Sequence, residues 1–183
     1  MIVIVMGVTG VGKTTVGRLL AERTGWIYYD ADDFHSPANV EKMRAGTPLT
    51  DNDRWPWLDR LNEVLHAAES QGASVILGCS ALKHRYRDRL ERGLSAVRWV
   101  YLKGSEELIT SRLQARKGHY MNPALLQSQF DALEPPRDAL TIDVDDEPAA
   151  LAERVLSGLE LRIPNTRPRP ESAKPEPKED TSR

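Results

Sequence analysis

Gly7-Val8-Thr9-Gly10-Val11-Gly12-Lys13-Thr14 follows directly on the apolar run Ile2–Met6 and opens an amphipathic stretch. It is a complete G-x-x-x-x-G-K-[ST] string at a strand-to-helix junction, and no other segment restricts the fold as much. Such a loop works when a buried strand delivers it and a helix begins inside it. Backbone N–H groups and the positive end of the helix then converge on one polyphosphate. Lys13 can reach the terminal phosphates, and the Thr14 hydroxyl suits Mg²⁺. The candidate nucleotide-binding set is therefore Gly7, Val8, Thr9, Gly10, Val11, Gly12, Lys13, Thr14 and Thr15.

The rest of the chain repeats the alternation that the loop demands. Strands are predicted at Ile2–Met6, Trp26–Tyr29, Ser74–Leu77, Val97–Leu102 and Leu140–Val144. Helices are predicted at Lys13–Arg23, Pro37–Ala45, Trp55–Ser70, Leu82–Arg92, Glu106–Ala115, Pro123–Leu133 and Pro148–Leu161. Short Val/Ile-rich runs separated by helices describe a parallel sheet covered on both faces. The expected class is α/β, a three-layer sandwich around a five-stranded parallel sheet, with its ligand outside the carboxyl ends of the strands. One domain, residues 1–163, is expected. Residues 164–183 hold five prolines and many charges, a composition that cannot bury enough apolar surface to order itself, so a disordered tail is expected.

Composition narrows the class of partner. A formal charge of −2 argues against a surface built for nucleic acid. No apolar stretch approaches the roughly 20 residues that cross a bilayer. The single cysteine, Cys79, has no internal disulfide partner and fits a reducing compartment. A soluble cytoplasmic protein acting on a small molecule is expected.

Phosphoryl transfer also needs a carboxylate near Mg²⁺, a group to orient the acceptor hydroxyl, and cations for the charge of the transition state. The strand Ser74–Leu77 ends in Gly78-Cys79-Ser80, without an acid. The acids follow the second strand, at Asp30-Ala31-Asp32-Asp33. Asp30 and Asp32 share a face of an extended backbone, so one can assist the metal shell while the other accepts or holds the acceptor proton. Asp33 reads as a turn or capping residue. Asp53 reads as the cap of a helix with Pro56 in its first turn, which leaves Arg54 free to grip a carboxylate with its planar guanidinium. Ser80 is read as the cap of the helix beginning near Leu82, and Lys83 faces either the cleft or solvent. Cys79 reads as a small buried residue rather than a nucleophile. His66 reads as structural and His84 as solvated; His35 and His119 lie in cleft-side loops. No zinc site is expected from histidines so scattered. Arg112 and Arg116, four apart on one helix face, repel unless an anion lies over them. With Lys117 and the Gly118-His119-Tyr120 run behind them, they read as a mobile lid.

The residues resemble one family. The run Asp30-x-Asp32 with His35, then Asn39-Val40-Glu41-Lys42-Met43, Gly46-x-Pro48-Leu49-x-Asp51-x-Asp53-Arg54-x-Pro56-Trp57-Leu58 and Cys79-Ser80-Ala81-Leu82-Lys83 is similar to the gluconokinases of the small phosphate-loop type. These are relatives of the shikimate kinases. Tyr86-Arg87-Asp88, Arg112-x-x-x-Arg116-Lys117-Gly118-His119-Tyr120, Ser128-Gln129-Phe130 and Leu133-Glu134-Pro135 extend the likeness from Met6 to about Leu159. It implies transfer from ATP, with Mg²⁺, to the terminal hydroxyl of D-gluconate, and an enzyme whose relatives are commonly homodimers. Lys13, Asp32 and Arg116 are then the catalytic set, with Asp32 on the acceptor side. Thr14 and Asp30 are the metal side. Asp32, His35, Arg54, Lys83 and His119 would contact gluconate, and Arg112 and Arg116 the nucleotide. The loop Asp143–Pro148 would touch adenine. Ala31 in place of a frequent glycine, Pro37 displaced from the position after His35, and Asn52 for a common aspartate depart from the pattern. A kinase for shikimate or a nucleoside monophosphate, and a nucleotide-binding switch, are the competing readings; the intact Asp32 and the Arg112/Arg116 pair count against the switch.

Overall fold

The computed structural model describes residues 1–115 and 123–161. Arg116, Lys117, Gly118, His119 and Tyr120, and the expected tail at 164–183, lie outside them. Five parallel strands form one sheet: β1 (Ile2–Met6), β2 (Ile27–Asp30), β3 (Val75–Gly78), β4 (Val97–Lys103) and β5 (Leu140–Asp143), in the order β2-β3-β1-β4-β5. The helices are α1 (Lys13–Thr24), α2 (Pro37–Arg44), α3 (Asp51–Ser70), α4 (His84–Glu91), α5 (Glu106–Ala115), α6 (Pro123–Ala132) and α7 (Pro148–Gly158). The expected three-layer α/β class holds.

All five residues of β1 are buried, because the strand is central and covered on both faces. Val3 and Val5 point into the layer shared with α1 and α7, where Leu20, Leu151 and Val155 are buried. Ile2, Ile4 and Met6 point the other way, onto Leu58, Leu61 and Leu65 of α3 and Leu90 of α4. The period-2 alternation of one strand thus feeds two cores. Each such Leu or Ile contributes about 1.5–3 kcal/mol of burial. The chain passes from β1 out to β2, returns through β3 beside β1, then crosses to β4 on the far side. That reversal around β1 places the phosphate loop at the switch point, where open α/β sheets hold ligands.

Two helix starts differ from the sequence expectation. α3 begins at Asp51, a turn before Trp55. Thr50 is its cap, and Asp53 completes a reciprocal capping box three residues on rather than capping the helix itself. Pro56 consequently lies inside the helix. α4 begins at His84 instead of near Leu82, and Ser80 does not cap it. The carboxylate Oε2 of Glu134, distant in sequence, accepts from the His84 N–H at 2.6 Å.

Candidate active site

Glycine at three places lets the loop fold close to the sheet. Gly7, Gly10 and Gly12 have φ of 142°, 82° and 108°, values that side-chain-bearing residues rarely adopt. A Cβ on Gly7 would lie 2.6 Å from the carbonyl oxygen of Leu102, so β4 leaves no room for one. Gly12 caps α1 without any side-chain hydrogen bond, leaving the first N–H groups of the helix directed at the loop's ligand. Lys13 Nζ donates to the carbonyls of Gly7 and Val8, each at 3.0 Å. Burial pushes its ammonium below the usual lysine range, opposed by Asp32, Cys79 and Asp30. Cys79 is buried, which raises its thiol to about 12 and leaves it inert.

Asp30 ends β2 beside this loop. Its Oδ2 accepts from Thr14 Oγ1 at 3.0 Å and from the Tyr28 hydroxyl at 3.2 Å, and its Oδ1 accepts from the Asp32 N–H at 3.2 Å. Tyr28 can approach because Gly17 and Gly78 face it: a Cβ on either would lie 2.4 Å from a Tyr28 atom. Asp30 caps the short 3-10 turn Ala31–Phe34, and that turn swings Asp32 toward Lys13. Desolvation raises the Asp32 carboxyl above its ordinary range; the charge of Asp30 adds to this and Lys13 opposes it.

Beyond Asp32 lies a second cluster. His35 stacks on Trp57 with ring centroids 4.2 Å apart, while Trp57 Nε1 donates to the Ala31 carbonyl at 2.8 Å. His35 Nδ1 is buried and has no hydrogen-bond partner. Burial lowers the imidazole below its usual range, the negative charge of Asp32 works against this, and Arg54 adds to it. Arg54 Nη1 donates to the Leu49 carbonyl at 2.5 Å, and its guanidinium lies 5.5 Å from the centre of the Tyr86 ring. Lys83 Nζ and the Arg85 guanidinium flank the same ring at 5.9 and 5.6 Å. The Tyr86 hydroxyl donates to Asp51 at 2.5 Å, and Arg85 pairs with Asp51. Three cations thus face one carboxylate around Tyr86, a local excess of positive charge.

On the other side of the loop, Arg112 Nη2 donates to the Val144 carbonyl at 2.5 Å. Beside it Gly10, Thr15, Arg112, Asp146 and Pro148 line a cavity of about 240 Å³. The expected base-side loop after β5 therefore does border the phosphate loop. A larger cavity of about 510 Å³ lies between α4 and residues 134–138; none of the phosphate-loop residues, Asp30 or Asp32 lines it. Hard oxygen donors on Thr14 and Asp30, 3.0 Å apart, are of the kind that Mg²⁺ takes beside phosphate and water, so these residues fit that ion.

Residues 2–136 match the family model described as an AAA domain, so the chain belongs to that family. A "Probable gluconokinase" of Rattus norvegicus is 47% identical over 179 residues, covering 86% of this chain and 97% of the relative. The chain belongs to the gluconokinase family. The crystal structure of a gluconokinase from Sinorhizobium meliloti 1021 superposes with a TM-score of 0.79 at 40% identity, covering 86% of this chain and 90% of that one. A shikimate kinase from Acinetobacter baumannii shares the fold alone, at 22% identity and a TM-score of 0.54, over 87% of this chain and 92% of that one.

For this gluconokinase-family chain, sequence reasoning assigned Lys13, Thr14, Asp30, Asp32, His35, Arg54 and Lys83 to the site; in the structure Lys13, Thr14, Asp30 and Asp32 gather at the phosphate loop, His35 lies beside Asp32, and Arg54 and Lys83 meet around Tyr86, while Arg116 and His119 lie outside the described residues. It missed the clamp of Tyr28 on Asp30, although the i, i+2 spacing on β2 was a usable signal. It also missed Tyr86 as the hub of the cation cluster and Trp57 as the support of His35.

Proposed function

We propose that the protein transfers the terminal phosphoryl group of ATP to the terminal hydroxyl of D-gluconate, giving 6-phospho-D-gluconate and ADP. The observation that carries this reading is the adjacency of the phosphate loop to Asp32 and His35, with the three-cation cluster of Tyr86 beyond them. A donor triphosphate, a hydroxyl and a carboxylate would thus each have a complementary group.

In this reading the loop amides and the end of α1 bind the phosphates, and Lys13 leaves its carbonyl partners to neutralise charge on the transferred group. Thr14 and Asp30 would hold Mg²⁺, which would supply neutralisation of phosphate charge. Asp32 orients the acceptor hydroxyl and takes its proton as the oxygen–phosphorus bond forms; the bond from that phosphorus to the bridging oxygen breaks, and the electron pair leaves with ADP. A carboxyl raised toward neutral pH is a better proton acceptor than an ordinary one. His35, beside Asp32, stands on the acceptor side, and its buried Nδ1 has no protein partner. Arg54 and Lys83 hold the carboxylate. Arg112 borders the base, and Arg116 and His119 complete the nucleotide and acceptor sides respectively.

The test is ADP release with gluconate, shikimate and no acceptor, with enzymatic identification of 6-phosphogluconate as product. Turnover with gluconate alone supports the reading. Equal or greater turnover with shikimate, or acceptor-independent hydrolysis, overturns it.

A further inference from the structure

The Ser128-Gln129-Phe130 and Leu133-Glu134-Pro135 runs have no task in the reaction as derived above. In the structure they make two grips on two different loops. On α6, Gln129 Oε1 accepts from the Thr9 N–H at 2.7 Å and Gln129 Nε2 donates to Thr9 Oγ1 at 3.0 Å. A side-chain amide presents one acceptor and one donor together, which is what a backbone N–H and a hydroxyl require. Five residues on, Glu134 Oε2 accepts from the His84 N–H at 2.6 Å, and the Glu134 N–H donates to the Leu82 carbonyl at 2.9 Å. These two contacts bracket Lys83.

The segment that carries the grips is packed against the core. Leu126 of α6 is 4% exposed, and Phe130 and Leu133 pack on the core beside it. The Leu133 N–H closes a turn on the Phe130 carbonyl at 3.2 Å. The gripped loop is strained: Ala81 has φ 40°, a left-handed conformation costing a β-carbon-bearing residue about 1–2 kcal/mol. Arg87 Nη1 donates to the Ala81 and Leu82 carbonyls at 3.0 and 3.2 Å, so this loop is held in place from both sides. At their roots the two loops are tied through the sheet, by the Cys79 N–H to the Val5 carbonyl at 3.0 Å and the Gly7 N–H to the Ser80 carbonyl at 3.4 Å. Their outer parts are tied through residues 129–134.

We infer that Gln129 and Glu134 are positioning residues that join the phosphate loop and the Cys79–Lys83 loop into one frame, holding donor and acceptor in register for transfer. Only the activity arm of this inference rests on the kinase reading above. A register error of an ångström costs about 100-fold in rate while leaving each ligand's own contacts intact, so the frame shows in kcat rather than in binding.

The full chain is compared with Gln129→Ala, Glu134→Ala, Glu134→Gln and the double alanine variant. Amide hydrogen exchange is followed at Thr9 and His84, with kcat, gluconate KM and ADP affinity. In a joined frame, either alanine substitution accelerates exchange at both amides, including the one whose own partner is untouched. Glu134→Gln, which keeps an acceptor for His84, stays near wild type. Each alanine variant loses about tenfold or more in kcat with KM and ADP affinity within about threefold, and the double variant is about as slow as the worse single one, because either break already frees the register. Exchange accelerated only at the amide that lost its partner overturns the inference, as do kcat losses that multiply in the double variant. If Glu134→Ala does not fold, the effect of Gln129→Ala on the His84 amide decides alone. Absence of turnover with gluconate in the wild type would strike the kinase reading, while the exchange result would still judge the frame.

Discussion

The imidazole of His35 lies on the indole of Trp57, with centroids 4.2 Å and planes 16° apart. Trp57 is anchored to the Ala31 carbonyl, so the turn that carries Asp32 and the ring of His35 share one support. Burial of the ring, with Nδ1 itself out of reach of solvent, favours the neutral form. A histidine whose folded pKa is depressed contributes its full stability above the unfolded value of 6.5. Below that value the unfolded chain binds the proton more readily, so stability falls as pH drops toward the folded pKa. Denaturant midpoints at pH 8 and pH 5.5 check this: wild type should lose more on acidification than His35→Gln.

Asp32→Asn keeps the shape of the 3-10 turn but cannot take a proton. A fall in kcat of about 10²–10⁴-fold is expected, with ATP affinity nearly unchanged. Steady-state kinetics beside nucleotide titration separates the two; a variant with wild-type kcat would remove Asp32 from proton transfer.

Arg54→Ala removes one of three cations around Tyr86 and its bond to the Leu49 carbonyl. The expected result is a gluconate KM raised about tenfold or more, the scale of a lost charge-assisted contact, with KM for ATP little changed. An effect confined to ATP would move Arg54 out of the acceptor pocket.

Gly17→Ala places a Cβ 2.4 Å from the Tyr28 ring. With the ring wedged against Gly78 as well, overpacking should cost about 1–3 kcal/mol of stability and loosen the hydroxyl that holds Asp30. Urea unfolding measures the first effect, and a raised Mg²⁺ requirement for ATP binding the second.

The phosphate loop and the central strand were legible because both announce themselves locally, through glycines at fixed spacing and an unbroken apolar run. Asp30 and Asp32 were legible as an acidic pair after the second strand, but not for the reason of a shared strand face: β2 ends at Asp30, and Asp32 lies in the 3-10 turn that Asp30 caps. The start of α3 was misread because Pro56 suggested a first turn, while the true signal was the reciprocal pairing of Thr50 and Asp53. Tyr86 and Gln129 could not be assigned tasks from sequence: each acts through partners far along the chain, Gln129 through Thr9 120 positions away. No local pattern records such a contact. The cap of α4 escaped for the same reason, since Glu134 reaches His84 across the fold.

Gathering Arg54, Lys83 and Arg85 about a single phenol ring also bears on which molecules are turned away. If this cluster receives the acceptor's carboxylate, as proposed, a neutral aldose of the same length would enter without reward at that end, whereas an aldonate would be drawn in from several ångströms out. Preference for acids over their uncharged counterparts should therefore shrink as ionic strength rises and the field of those partly solvated cations is screened, leaving chain length and hydroxyl pattern to do the choosing in brine.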